Sequence, residues 1–258
     1  MDLHFKRSGE GPALLLLHGL GGYGGLWEPV LEHLESDREV IVPDLPGFGR
    51  SQAFGPGTPA TAANMATVVV ELCERLGLRR PEAAGNSLGA WVALEMAKRG
   101  EVASVVGISP AGLWARALGP RRRDVRALGR RLRPFLAPAL ATRGGRARLL
   151  RTFVAQPGRV PPVAARELVR NYLDAEGYDA ANEAMRQSPF EHDDRVEVPV
   201  TLAWGEEDRL VAPPRPARMP PGARYLTVPG WGHTPTYDDP AGVARLILAG
   251  KDGRAAEL

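Results

Sequence analysis

Ser87, Asp208 and His233 are the residues of this 258-residue chain whose types could together carry nucleophilic catalysis. A serine hydroxyl is a poor nucleophile until a base takes its proton. An imidazole titrates near neutrality and can do so, and a buried carboxylate fixes its tautomer and stabilises the imidazolium. Ser87 is centred in Gly85-Asn86-Ser87-Leu88-Gly89, with a small, strand-like run from Pro81 before it and a helix-forming run through Met96 after it. With 30 Gly and seven Ser in the chain, about 0.1 matches to G-x-S-x-G are expected by chance. The pattern alone is weak; the strand before it and the helix after it make the stretch a nucleophile elbow. Gly85 and Gly89 permit a turn too tight for larger neighbours. That turn lifts the Ser87 oxygen off the sheet edge and aims the Leu88 N–H, at a helix N-terminus, toward developing negative charge.

Such residues need a sheet to hold them. Leu3–Arg7 alternates like an edge strand and ends in the Gly9-Glu10-Gly11-Pro12 turn. Ala13–Leu17 and Glu39–Val42 are apolar runs of the kind buried on both faces of a parallel sheet. The Gly-rich loop His18–Gly22 and a short helix over Trp27–Leu34 separate them, with Trp27, Val30, Leu31 and Leu34 on one face. Thr61–Leu76 predicts a helix that Gly77 stops, and Ala103–Ile108 predicts a strand after the elbow helix. The strand–helix alternation argues for α/β architecture with a mostly parallel sheet covered on both faces. It breaks between Gly112 and Asp194, where amphipathic helical pieces follow one another, among them Val163–Tyr172 and Ala180–Met185. Residues 112–194 therefore read as a helical lid inserted into a core of residues 1–111 and 195–258. Strands resume at Val200–Gly205 and Arg224–Val228, and a last helix spans Pro240–Leu248, Pro240 suiting its first turn. The polar tail from Lys251 reads as frayed.

Composition is that of a soluble globular protein, 44% apolar and 24% charged, in a chain long enough for one large domain. The apolar runs fall far short of a membrane span, and no apolar signal segment follows the charged N-terminus, so a cytoplasmic protein with no membrane insertion is expected. The single Cys73 excludes an internal disulfide framework and a cysteine metal cluster, and neither metal nor cofactor is expected. Between Arg116 and Arg170 there are 15 Arg against two acids, Asp124 and Glu167. A coding bias toward Arg explains this, and so does a surface that attracts anionic substrates. Nucleic acid is not an expected partner, because no recognition module or aromatic interleaving accompanies the charge.

Taken together these stretches resemble the α/β-hydrolase superfamily over nearly the whole chain. Ser…Asp…His is that family's order of nucleophile, acid and base. His18-Gly19-Leu20-Gly21-Gly22 looks like its oxyanion loop, which implies that the Leu20 N–H pairs with the Leu88 N–H. Asp44–Ser51 matches its D-x-P-G-x-G-x-S segment and Gly205–Asp208 its G-x-x-D acid loop, so Asp208 is preferred over Glu206 and Glu207. Gly232-His233 followed by Pro240 matches its terminal histidine and helix, and the insertion matches its helical cap. Of the other histidines, His18 reads as a loop-positioning residue, and His4, His33 and His192 as surface or loop residues. Asp44 reads as holding its turn, and Trp114, Phe135 and Trp231 are candidates for lining the substrate pocket.

A serine at the elbow argues against haloalkane dehalogenases and epoxide hydrolases, which resemble this chain but carry Asp there. The leading expectation is a hydrolase of small-molecule carboxylic esters working through an acyl-enzyme. Gly-Asn-Ser-Leu-Gly is also similar to elbows of carbon–carbon hydrolases acting on anionic ring-cleavage products, but these usually place Trp directly after the histidine, where this chain has Thr234-Pro235. A ligand receptor on the same fold is the reading from another class.

Overall fold

The computed structural model describes residues 1–119, 125–191 and 196–250. His192, Asp124, the expected cap–core boundary at 194/195 and the tail from Lys251 lie outside them. Seven strands form one sheet: β1 (Phe5–Ser8), β2 (Ala13–Leu17), β3 (Glu39–Pro43), β4 (Glu82–Asn86), β5 (Ser104–Ile108), β6 (Val200–Gly205) and β7 (Arg224–Val228). Their spatial order is β1-β3-β2-β4-β5-β6-β7, parallel throughout except that β1 pairs antiparallel with β3. The core helices are α1 (Glu28–Leu31), α2 (Ala62–Arg75) and α3 (Leu88–Ala97). Between β5 and β6 come α4 (Val125–Arg131), α5 (Arg133–Ala141), α6 (Arg143–Leu150), α7 (Pro162–Asp174) and α8 (Tyr178–Gln187), and α9 (Pro240–Gly250) closes the chain. Among the described residues no helix is long and apolar enough to cross a membrane.

The apolar runs are continuous because both sheet faces are covered. Along β2, Leu15 and Leu17 enter a core with α2 and α3, while Leu14 and Leu16 enter a second core with α1 and α9. At no more than 2% exposure each, these four leucines contribute about 6–12 kcal/mol of burial free energy as an upper figure. The same period of two places Ile41 in one core and Val40 and Val42 in the other. Helix α3 is apolar on every side and lies in the middle of the fold, with nine of its ten residues buried. α2 starts where Thr61 Oγ1 accepts from the Asn64 N–H at 3.1 Å and stops at Gly77, whose φ is +71°.

One expected helix is shorter than its sequence pattern. Trp27–Leu34 resolves into a 3₁₀ turn over Gly24–Trp27 and only one α-turn in α1, although Trp27, Val30, Leu31 and Leu34 are all buried as the pattern requires. Burial of four side chains is met by successive tight turns as well as by a regular helix.

The inserted helices have a small core of their own, formed by Leu140, Leu150, Val154, Val160 and Ala165 with Tyr237 from the far end of the chain. Several of the insertion's arginines act on backbone carbonyls. The 2%-exposed Arg126 donates to the Tyr172, Leu173 and Ala175 carbonyls at 2.7–3.0 Å, pairs with Asp179 at 3.0 Å and stacks 4.3 Å from the Tyr178 ring centre. Arg146 donates to the Leu140 and Ala141 carbonyls, and Arg186 to those of Leu118 and Gly119. Arg126 and Arg146 thereby serve carbonyls at the ends of α7 and α5, and Arg186 those of the segment after β5.

Candidate active site

The elbow is built as its glycines require. Ser87 sits at φ 53°, ψ −114°, a left-handed conformation costing a non-glycine residue about 1–3 kcal/mol. Its N–H donates to the Ile108 carbonyl at 2.9 Å, and its carbonyl accepts from the Ala111 N–H at 3.0 Å and the Trp91 N–H at 3.2 Å, which hold the strained turn. A Cβ on Gly85 would lie 2.4 Å from the Ala90 nitrogen; one on Gly89 would lie 2.2 Å from the Leu17 carbonyl oxygen. The glycines therefore serve the packing of α3 against β4 and β2, rather than only the room beside Ser87. Gly89→Ala is expected to destabilise the fold by about 3 kcal/mol, since the clash is with backbone on both sides; denaturant unfolding checks it.

The loop after β2 is held from beneath. His18 is fully buried; its Nε2 accepts from the Leu45 N–H at 2.9 Å, so the ring proton is on Nδ1, which donates to the Gly19 carbonyl at 2.8 Å. Burial depresses the His18 pKa, opposed by the Gly19 bond and by Asp44, and the ring is a neutral spacer rather than a base. The Gly19 carbonyl also accepts from the Gly22 N–H at 2.9 Å. With that carbonyl turned onto His18, the trans peptide points the Leu20 N–H to its opposite edge. Gly19 passes so close to the elbow that its Cβ would sit 3.2 Å from the Ser87 Cβ. Leu20 is half-buried and Leu88, at the first position of α3, is 1% exposed.

Asp44 supports this loop from the turn after β3. Its Oδ1 accepts from the Gly24 N–H at 2.6 Å, and its Oδ2 from the Arg50 N–H at 2.9 Å and faces His4 Nδ1 at 3.1 Å. His4 is thus more than a surface residue, because its ring and backbone are both tied into the Asp44–Ser51 knot. His33 is exposed beside Glu32.

Asp208 and His233 meet beyond the ends of β6 and β7. His233 Nδ1 lies 2.8 Å from Asp208 Oδ2, with the two side chains 3% and 1% exposed. Because a carboxylate only accepts, Nδ1 carries the proton and Nε2 is left free to act as a base. Asp208 Oδ1 accepts from the Leu210 and Val211 N–H groups at 2.8 and 2.9 Å. Burial alone would raise its pKa; the hydrogen bond and charge of His233, with the two amides, outweigh this and hold it below the ordinary carboxylate value. Glu206 and Glu207 are exposed.

Asn86, a residue no sequence pattern singles out, joins the two halves of this arrangement. It is 1% exposed; its amide donates to the His233 carbonyl at 2.7 Å and the Ile108 carbonyl at 3.1 Å, and its oxygen accepts from the Thr234 hydroxyl at 3.1 Å. The residue before Ser87 therefore grips the backbone of His233. Nothing local in the sequence signals a side chain two of whose partners lie 147 and 148 residues away.

The three expected pocket residues stand in different surroundings. Trp231 is 1% exposed within the core of α1 and α9, and Phe135 is 70% exposed on α5, so neither lines an enclosed pocket. Trp114 packs edge-on to Trp91 at 5.8 Å, on the rim of the main core. The aromatic groups that reach the loops of the site are others: a Cβ on Gly21 would lie 2.6 Å from the Tyr172 ring and 3.2 Å from that of Tyr178. Phe153 lies 6.1 Å from Tyr172, centre to centre, and its carbonyl accepts from the Thr234 N–H at 2.7 Å. A surface cleft of about 270 Å³ between the Gly47–Gln52 turn and Asn171–Glu176 contains none of Ser87, Asp208 or His233.

Over 202 residues the chain is 32% identical to the epoxide hydrolase EphH of Mycobacterium tuberculosis, a match covering 73% of this chain and 94% of that protein. Its fold is similar to a thermophilic esterase from Thermogutta terrifontis, with a TM-score of 0.69 and 25% identity over 95% of this chain and 91% of the esterase. It is also similar to a membrane phospholipase A, a bacterial virulence factor, with a TM-score of 0.75 and 26% identity over 97% and 82% of the two chains. The profile of the alpha/beta hydrolase family matches residues 14–246, and with the sheet order and the elbow geometry this shows that the chain belongs to that family.

Proposed function

We propose that this protein hydrolyses small carboxylic esters through a Ser87–His233–Asp208 triad. The observation that carries the reading is the Asp208–His233 pair, buried and 2.8 Å apart, with the His233 carbonyl tied by Asn86 to the elbow that presents Ser87. His233 Nε2 takes the proton from Ser87 Oγ as that oxygen attacks the ester carbonyl, and the Leu20 and Leu88 N–H groups receive the negative charge on the carbonyl oxygen. His233 gives its proton to the departing alcohol. It then takes one from a water that attacks the acyl-enzyme, and returns it to Ser87 as the acid leaves.

Among related chemistries the ester reading is favoured at two points. The serine at the elbow departs from the aspartate of the epoxide hydrolases that this chain resembles; because the relative EphH is named an epoxide hydrolase, an epoxide control is included below. Arginines such as Arg126, Arg146 and Arg186, which would suit anionic dienoates, are directed onto backbone carbonyls. Phe153, Tyr172 and Tyr178, at the loops of the site, are our candidates for the acyl wall in place of Phe135 and Trp231.

Steady-state hydrolysis of p-nitrophenyl esters from acetyl to dodecanoyl, with an aryl epoxide as control, tests the proposal. The expected result is ester turnover with a maximum at one chain length and none on the epoxide. A folded, fluorophosphonate-labelled protein without ester turnover would point instead to carbon–carbon substrates, and one that turns over neither to a receptor.

A further inference from the structure

We infer that Asp238 is a positioning residue for His233, and that it acts by fastening the histidine's loop to the inserted helices. The inference rests on the triad reading above. Asp238 is wholly buried, and its carboxylate is used entirely on backbone amides from two parts of the fold. Oδ2 accepts from the Gly232 N–H at 2.9 Å, immediately before His233, and from the Ala155 N–H at 3.0 Å. Oδ1 accepts from the Gln156 N–H at 2.7 Å. Residues 153–156 form a strap between α6 and α7, so one carboxylate joins that strap to the residue preceding the base.

Three further contacts make the same junction. The Thr234 N–H, just after His233, donates to the Phe153 carbonyl at 2.7 Å. Arg159 returns from the insertion to donate to the Asp238 carbonyl. The Tyr237 side chain completes the small core of Leu140, Leu150, Val154, Val160 and Ala165. A Cβ on Gly232 would lie 2.5 Å from the Ala155 nitrogen, so the strap lies directly against the histidine loop. His233 is thereby held at four points: Asp208 on its ring, Asn86 on its carbonyl, Asp238 on its preceding residue and the strap on its following one. A displacement of the strap moves the peptide groups on both sides of the base. The insertion is then a component of the catalytic geometry as well as a cover, and a misplacement of about 1 Å costs on the order of 100-fold in rate.

Kinetics per active site test this, with sites counted by complete labelling with a fluorophosphonate. Asp238→Asn keeps the shape and one oxygen but turns an NH₂ toward a backbone N–H. It is expected to lower kcat per labelled site by about 100-fold while KM for the best p-nitrophenyl ester stays within about 3-fold. Arg159→Met, a change at an exposed residue, is expected to lower kcat per site by about 3-fold. A merely structural residue would reduce the number of labelled sites and leave kcat per site at the wild-type value; that result overturns the inference. Should Asp238→Asn fail to fold, wild-type kcat per site in Arg159→Met overturns it. Wild-type protein that takes no label, or Ser87→Ala with undiminished turnover, overturns the triad reading itself and with it this role.

Discussion

Ser87→Ala is expected to lower kcat for the best p-nitrophenyl ester by a factor on the order of 10⁶, with KM little changed. On the proposed mechanism the residual rate is that of water attack, with the Leu20 and Leu88 amides still placed to receive the oxyanion. Stability should respond differently from activity. Alanine retains a Cβ at φ 53° and so keeps the strain of the turn, whereas Ser87→Gly, equally inactive, removes it. The glycine variant is therefore expected to be more stable than the alanine variant by about 1 kcal/mol, after glycine's greater freedom in the unfolded chain offsets part of the gain. Denaturant unfolding of the two variants measures the difference. An alanine variant at least as stable as the glycine variant would show that the elbow stores no strain.

Asp208→Asn should cost about 10⁴-fold in kcat, through the tautomer of His233 rather than through lost packing. The Leu210 and Val211 N–H groups both donate to Oδ1, so the asparagine oxygen stays there and its NH₂ takes the place of Oδ2. That NH₂ then donates to His233 Nδ1, which moves the ring proton to Nε2, the atom that accepts from Ser87 in the proposed mechanism. The carboxylate also links stability to pH. Its folded pKa lies below the unfolded value, so its stabilisation is present above about pH 3.9 and is lost as pH falls from there through the folded pKa. The stability difference between wild type and Asp208→Asn should narrow in that acid window, measured by denaturant unfolding at successive pH values. A difference constant from neutral pH through the acid limb would show that the carboxylate is not stabilised by its partners.

The strands, the elbow and the order of Ser87, Asp208 and His233 were legible in the sequence because their determinants are local. Leu14–Leu17 needs only a sheet covered on both sides, and a serine between close-packed glycines after a strand and before a helix has few other conformations. The helical nature of the insertion was equally local. Which aromatic side chains stand by the loops of the site was not: Phe135 of the insertion and Trp231 after β7 are aromatic residues like Tyr172, and hydrophobicity carries no address, so their separate fates followed from packing alone.

The arginine excess shows the same boundary. Charge predicts a solvated surface, yet Arg126 is buried because three carbonyls near the end of α7 come within its reach only after the chain folds. By itself the sequence determined the sheet, the elbow and the chemical types of the three catalytic candidates. Tertiary structure alone decided that Asn86 holds the His233 carbonyl and that Asp238 fastens the strap of residues 153–156 beside it. Both are short polar side chains satisfying backbone groups as far as 147 residues away, and such a bond is directional and specific in space while leaving no periodicity or spacing along the chain.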